Sequence, residues 1–203
     1  MKRKEFIIRA AAGTLACLVG GSAALSAAEK LVPAGEDAGA PKRALIVFYS
    51  WSGNTKALAG KIRAATGAEI FELVPEKPYP KEYRKCTEQA KKEIAENFRP
   101  ALKATPANLA EFDVVFVGSP NWWGTFAPPV STFLDAPELA GKTVVPFFTH
   151  GGGGMQRCES DVRARLEGRA RVLKALTLSG SSADGSRADR AVAEWLKALK
   201  VEG

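Results

Sequence analysis

Ala44-Leu45-Ile46-Val47-Phe48-Tyr49-Ser50-Trp51-Ser52-Gly53-Asn54-Thr55 is the stretch that decides the fold. Its first six residues are apolar without interruption, the pattern of a strand buried on both faces of a parallel sheet. The next six are mostly small or hydroxyl-bearing. Leu58, Ile62 and Ala65 then recur at helical spacing, so a helix is expected over residues 54–66. Strand, polar turn and helix in this order make the first half of a βαβ unit.

The same alternation continues along the chain. Residues 69–74 alternate apolar and charged, as a half-exposed edge strand does. Residues 81–98 read as a helix with Tyr83, Cys86, Ala90 and Ile94 on one face, and residues 113–117 as a second continuous apolar strand. A short helix is expected from Pro128 to before Pro137, a strand over 143–149, a helix over 155–166 and a strand over 172–178. The last helix is expected to open at Ser186, whose spacing to Asp189 is that of a capping box, and to bury Ala191, Val192, Trp195, Leu196 and Leu199. Five strands alternating with five helices predict a doubly wound α/β fold of three layers, α/β/α. The continuous strands belong in the centre and the alternating ones at the edges, which the order 2-1-3-4-5 provides. Pro146 fits poorly inside a central strand, because it cannot donate a ladder hydrogen bond, and a bulge is expected there.

Ligands of open parallel sheets bind outside the carboxyl ends of the strands, so the segments after the strands carry the candidate site. After the first strand, Ser50, Ser52 and Thr55 offer hydroxyls, Trp51 and Asn54 stand among them, and Gly53 permits a tight turn at a helix N-terminus. This is a nest suited to a phosphate without a lysine or arginine; the plainer alternative is a polar turn with a helix cap. After the third strand come Pro120-Asn121-Trp122-Trp123-Gly124. Two adjacent tryptophans in a loop cover something, either the top of the core or a flat aromatic ligand. After the fourth strand, Thr149-His150-Gly151-Gly152-Gly153-Gly154 has almost no side chains and lets backbone N–H groups approach a ligand edge. His150 is the only histidine. It either packs or faces solvent, or it hydrogen-bonds a bound ring or protonates a bound acceptor.

Y-S-W-S-G-N-T-K, S-P-N-W-W-G and T-H-G-G-G-G together resemble the flavodoxin and flavodoxin-like family, over about residues 42–200. The resemblance implies FMN as cofactor. Ser50, Trp51, Ser52, Gly53, Asn54 and Thr55 would take its phosphate. Pro120, Asn121, Trp122, Trp123 and Gly124 would flank the isoalloxazine, and Thr149, His150, Gly151 and Gly152 would line its pyrimidine edge. It implies a redox protein, either an oxidoreductase passing electrons to a quinone-like acceptor or a carrier shuttling single electrons between partner proteins. Two departures stand out: the last loop lacks a tyrosine, and the domain is basic where many carrier flavodoxins are acidic. Acidic surroundings destabilise an anionic hydroquinone, so a higher hydroquinone potential is expected here.

The first 28 residues read as an export signal: Lys2, Arg3, Lys4 and Arg9 are basic, residues 10–25 are uncharged, and Ser26-Ala27-Ala28 are small. The alternative is an uncleaved membrane anchor, although the run is short and broken by Gly13, Gly20 and Gly21. Arg3-Lys4-Glu5-Phe6-Ile7-Ile8 resembles a twin-arginine motif with Lys4 in the second arginine position, so that route and the general secretory route both stay open, with a periplasmic destination. Residues 29–42 read as a flexible linker and residues 43–203 as the domain. Without the leader, 25 of the 29 basic and 21 of the 22 acidic residues remain, an excess of about four. No basic stripe interleaves with aromatics, so nucleic acid is not an expected partner. No stable membrane insertion is expected once the signal is cleaved. No metal-ligand spacing is present. Cys86 and Cys158 lie on helices expected to be separated by a third, and are read as two thiols.

Overall fold

The computed structural model describes residues 43–201. The expected leader and linker lie outside the described residues. Strands β1 (Ala44–Phe48), β2 (Glu69–Glu72), β3 (Val114–Trp122), β5 (Thr143–His150), β6 (Arg171–Val172) and β7 (Leu176–Ser179) pair in parallel, and β4 (Thr125–Phe126) folds back antiparallel on β3. The order is β2-β1-β3-β5, with β6 and β7 sharing the last place beside β5. This is the doubly wound arrangement expected, with the last strand broken in two.

The period-two alternation of side chains sends each apolar strand into two cores. Leu45, Val47, Val115, Val117, Val144 and Phe148 meet α2 (Tyr83–Ala95), α3 (Pro128–Leu134) and α4 (Cys158–Arg165) on one face. Ile46, Phe48, Val114, Phe116, Val145 and Phe147 meet α1 (Asn54–Thr66) and α5 (Ser186–Val201) on the other. The half-exposed β2 lies at one edge, as its alternating sequence requires.

The break in the last strand explains Pro146. Val144 accepts a hydrogen bond from Leu173 N at 2.9 Å, so its neighbour two residues on, Pro146, also faces the last strand. There the partner chain leaves the ladder at Leu173–Ala175, between β6 and β7. The missing donor is therefore accommodated by a gap in the adjoining strand, not by a bulge in β5.

Other boundaries also move. β3 continues through Asn121 and Trp122, residues expected in a loop, because they pair antiparallel with Phe126 and Thr125 of β4. Ser186 is the first residue of α5 instead of its cap, and Asp189 reaches across to Lys61 at 3.1 Å in place of a capping box. Cys86 and Cys158 are free and buried; burial pushes their thiols up to about 11 and about 12.

Candidate functional site

The carboxyl ends of β1, β3 and β5 converge where the three quoted loops leave the sheet. Gly53 adopts φ 90° and precedes the first residue of α1. Its N–H donates to Ser50 Oγ at 3.1 Å, and its carbonyl accepts from Ala57 N at 2.9 Å. The turn is closed by its own backbone and one hydroxyl, leaving the first N–H groups of α1 at an exposed helix end. Ser52, Gly53 and Asn54 are exposed. Lys56 is paired with Glu72 at 2.7 Å, so the nest's polarity comes from N–H groups and hydroxyls. Thr55 is buried, and its hydroxyl is hydrogen-bonded to that of Thr149 at 2.8 Å. That bond fastens the first loop to the end of β5. Trp51 Nε1 donates to Pro80 O at 3.0 Å, and its ring lies 6.2 Å from that of Tyr83.

Trp122-Trp123-Gly124-Thr125 is a two-residue hairpin turn. Trp122 pairs with Thr125, and both central residues have positive φ, 55° at Trp123 and 88° at Gly124. A type I′ turn demands this, and a glycine at its second central position is ordinary while a tryptophan at the first is not. Trp123 is held there by a hydrogen bond from its Nε1 to Thr87 O at 2.9 Å, with the Lys91 ammonium 5.0 Å from its ring centroid. Trp123 stays 52% exposed. Trp122 turns inward, with its ring edge-on to Tyr79 at 4.9 Å and to Tyr49 at 5.6 Å. So Trp122 caps the core, and Trp123 stands at the rim.

Asn121 is a brace. Its Nδ2 donates to Gly154 O at 2.7 Å, and its Oδ1 accepts from Gly124 N at 3.0 Å. One amide thus ties the hairpin to the glycine loop, and Arg157 N to Gly124 O, at 2.9 Å, doubles the tie. Asn121→Ala is expected to cost about 1–2 kcal/mol, since two half-buried partners lose their bonds. Urea unfolding checks the cost, and faster amide exchange in the glycine loop would show that the tie orders it.

In the glycine loop, His150 Nδ1 accepts from Gly152 N at 3.0 Å. A nitrogen that accepts from an N–H carries no proton, which leaves Nε2–H as the ring's donor. A Cβ built on Gly151 or Gly152 would meet nothing within 4 Å, so the loop borders open space. Gly124 differs: a Cβ there would lie 2.7 Å from Gln156 Oε1. Pro120 sits in register with Thr149, next to this loop.

Further residues border the site without having been singled out in the sequence. A Cβ on Gly180 would stand 2.3 Å from Asn54 Nδ2, so the Ser179-Gly180-Ser181 turn presses on the phosphate nest. Its signal was present, since this turn also follows a strand of the sheet. Tyr79 reaches the hairpin through a tertiary ring contact, whereas Gln156 follows the glycine loop and donates to Gly153 O at 3.2 Å. Among the described residues, no cluster of three or more His, Cys, Asp or Glu is placed to hold a metal. A cavity of about 400 Å³ opens elsewhere, between α2, α3 and α4; Glu93, Phe98, Arg99, Phe126 and Arg157 are among its walls.

Comparison with known proteins agrees with this fold. A flavoprotein from Bacteroides eggerthii DSM 20697, described as putative, superposes with TM-score 0.68 at 27% identity, over 77% of this chain and 97% of that one. A flavoprotein from Lactobacillus acidophilus NCFM, solved in complex with FMN, superposes with TM-score 0.63 at 28% identity, over 76% of this chain and 99% of that one. Residues 43–199 match the flavodoxin family profile, which spans nearly the whole described domain, and the chain belongs to the flavodoxin family.

Proposed function

We propose that this chain is an FMN-binding redox protein that passes electrons through a non-covalently held flavin. The observation that carries this reading is the convergence of three loops on one open face: an uncharged N–H and hydroxyl nest, an aromatic hairpin and a bare glycine loop. The residues fit the group. The exposed start of α1 with Ser50 and Ser52 suits one terminal phosphate, which favours FMN over a dinucleotide. The space beside Gly151 and Gly152 lets backbone N–H groups reach a flat polar edge. Bound there, the flavin would supply reversible one- or two-electron chemistry; the FMN complex of the similar Lactobacillus protein supports the choice.

The exposed glycine loop favours a small quinone-like acceptor reaching the ring, and hence an oxidoreductase. The rim Trp123 favours the second reading, a carrier that docks a redox partner protein at the same edge. We further propose export, on the residue pattern of positions 1–28. Stepwise photoreduction of the reconstituted protein, followed by absorption, tests the function: flavin bands are expected, and a protein that FMN cannot reconstitute would refute it. Passage through a stable one-electron state would favour the carrier, and direct two-electron reduction the enzyme.

The basic domain gives a further expectation. Each net favourable interaction of about 1 kcal/mol with an anionic reduced flavin raises a one-electron potential by about 40 mV. The hydroquinone couple is therefore expected tens of millivolts above that of an acidic flavodoxin titrated under the same conditions. An equally low potential would contradict it.

A further inference from the structure

Behind the hairpin, Tyr79 and Tyr49, two aromatic side chains that the FMN reading does not use, form a connected group with Trp122. Trp122 touches Tyr79 edge-on at 4.9 Å between centroids, and Tyr49 touches both, at 5.6 Å from Trp122 and 5.9 Å from Tyr79. Tyr79 is only 7% exposed. Its hydroxyl donates a hydrogen bond to Glu93 Oε2, while Gln89 Nε2 donates to Glu93 Oε1 at 2.8 Å. Both carboxyl oxygens accept, as an ionised carboxylate does. Burial and then Glu93 push the Tyr79 phenol well above its ordinary value, so it stays protonated. Glu93 also lines the groove between α2, α3 and α4, so the far end of the group opens toward solvent.

We propose that Trp122, Tyr79 and Glu93 form a proton-coupled route that draws an oxidising equivalent away from the flavin site into the domain. This rests on the FMN reading, because the oxidant is the photoexcited oxidised flavin. Trp122 gives one electron to that oxidant. Tyr79 refills Trp122 with one electron, its phenolic O–H bond breaks, and the proton forms a new O–H bond on Glu93. One electron has then left the pair, one proton has moved from Tyr79 to Glu93, and the residue left oxidised is a neutral tyrosyl radical. Proton transfer is what makes the buried phenol a workable donor, since a tyrosyl cation would be an unpaired buried charge. Trp123 is a poor first donor, because the Lys91 ammonium over its ring disfavours a second positive charge there.

Laser-flash absorption and freeze-trapped EPR of the FMN-loaded protein test the route. A tyrosyl radical is expected in the wild type, retained in Tyr49→Phe and absent in Tyr79→Phe. In Glu93→Gln its yield should fall by about tenfold or more, the amide having a proton affinity lower by well over one pKa unit. Its formation should slow in D2O. Unchanged flavin bands in each variant would show that the site is intact. A tryptophan radical alone in the wild type, or a tyrosyl signal surviving Tyr79→Phe, would overturn the route while leaving FMN binding in place. Absence of flavin bands from the reconstituted wild type would overturn both.

Discussion

Gly118→Ala is expected to destabilise the domain by about 3 kcal/mol, a large share of what a single domain has. Gly118 lies in β3, opposite Phe48 of β1 and Phe147 of β5. A Cβ there would stand 2.2 Å from Phe147 Cζ and 2.8 Å from Phe48 Cβ. Phe147 is wholly buried among the side chains that face α1 and α5, so its ring has no vacant rotamer to move into. The cost comes from space alone, because the backbone of Gly118 is not in the left-handed region. Gly60 provides the internal contrast. It sits in α1, exposed, with nothing within 4 Å of a would-be Cβ. Gly60→Ala should stabilise by about 0.5–1 kcal/mol through helix propensity and unfolded-state entropy. Urea midpoints measured at constant slope would decide both. A neutral Gly118→Ala would mean that β1, β3 and β5 are less tightly pressed together than these distances imply.

The contrast between those glycines shows what can be read from the sequence. Neither composition nor spacing distinguishes Gly118 from Gly60; only their neighbours across the sheet and in solvent do. The alternation of buried strands and amphipathic helices was legible because hydrophobic periodicity records which faces are covered. The three loops were legible because the carboxyl-end rule places them together once the sheet is known. What each loop side chain does was not. Asn121 holds Gly154, Trp122 holds Tyr79, and Gly180 presses on Asn54, each partner lying far away in sequence. The hairpin at Trp123 also escaped detection, since a tryptophan at positive φ contradicts its local preference and is sustained by Thr87 and Lys91 from α2. Pro146 read as a defect of β5, although its consequence falls on the neighbouring strand.

Ser52→Asp is expected to weaken FMN binding roughly a hundredfold while leaving riboflavin binding nearly unchanged. In the proposed site the phosphate meets N–H groups and hydroxyls, and the basic residue beside the loop, Lys56, is already paired with Glu72. No free cation in the first loop would offset a new carboxylate. A carboxylate within one loop of a phosphate dianion, in surroundings of intermediate dielectric, repels it by about 3 kcal/mol, and that is roughly a hundredfold in Kd. The new side chain would also compete for the N–H groups of α1. The fold should not suffer: Ser52 is exposed, and an acid near a helix N-terminus is slightly stabilising. Loss of binding with an unchanged urea midpoint would therefore report on the site. Ser52→Asn, similar in size and uncharged, should bind FMN within a few-fold of wild type. Riboflavin separates the phosphate from the ring. Equal weakening of both ligands would place the effect on the ring loops, and unchanged FMN affinity would mean that the phosphate sits elsewhere than in the turn at the start of α1.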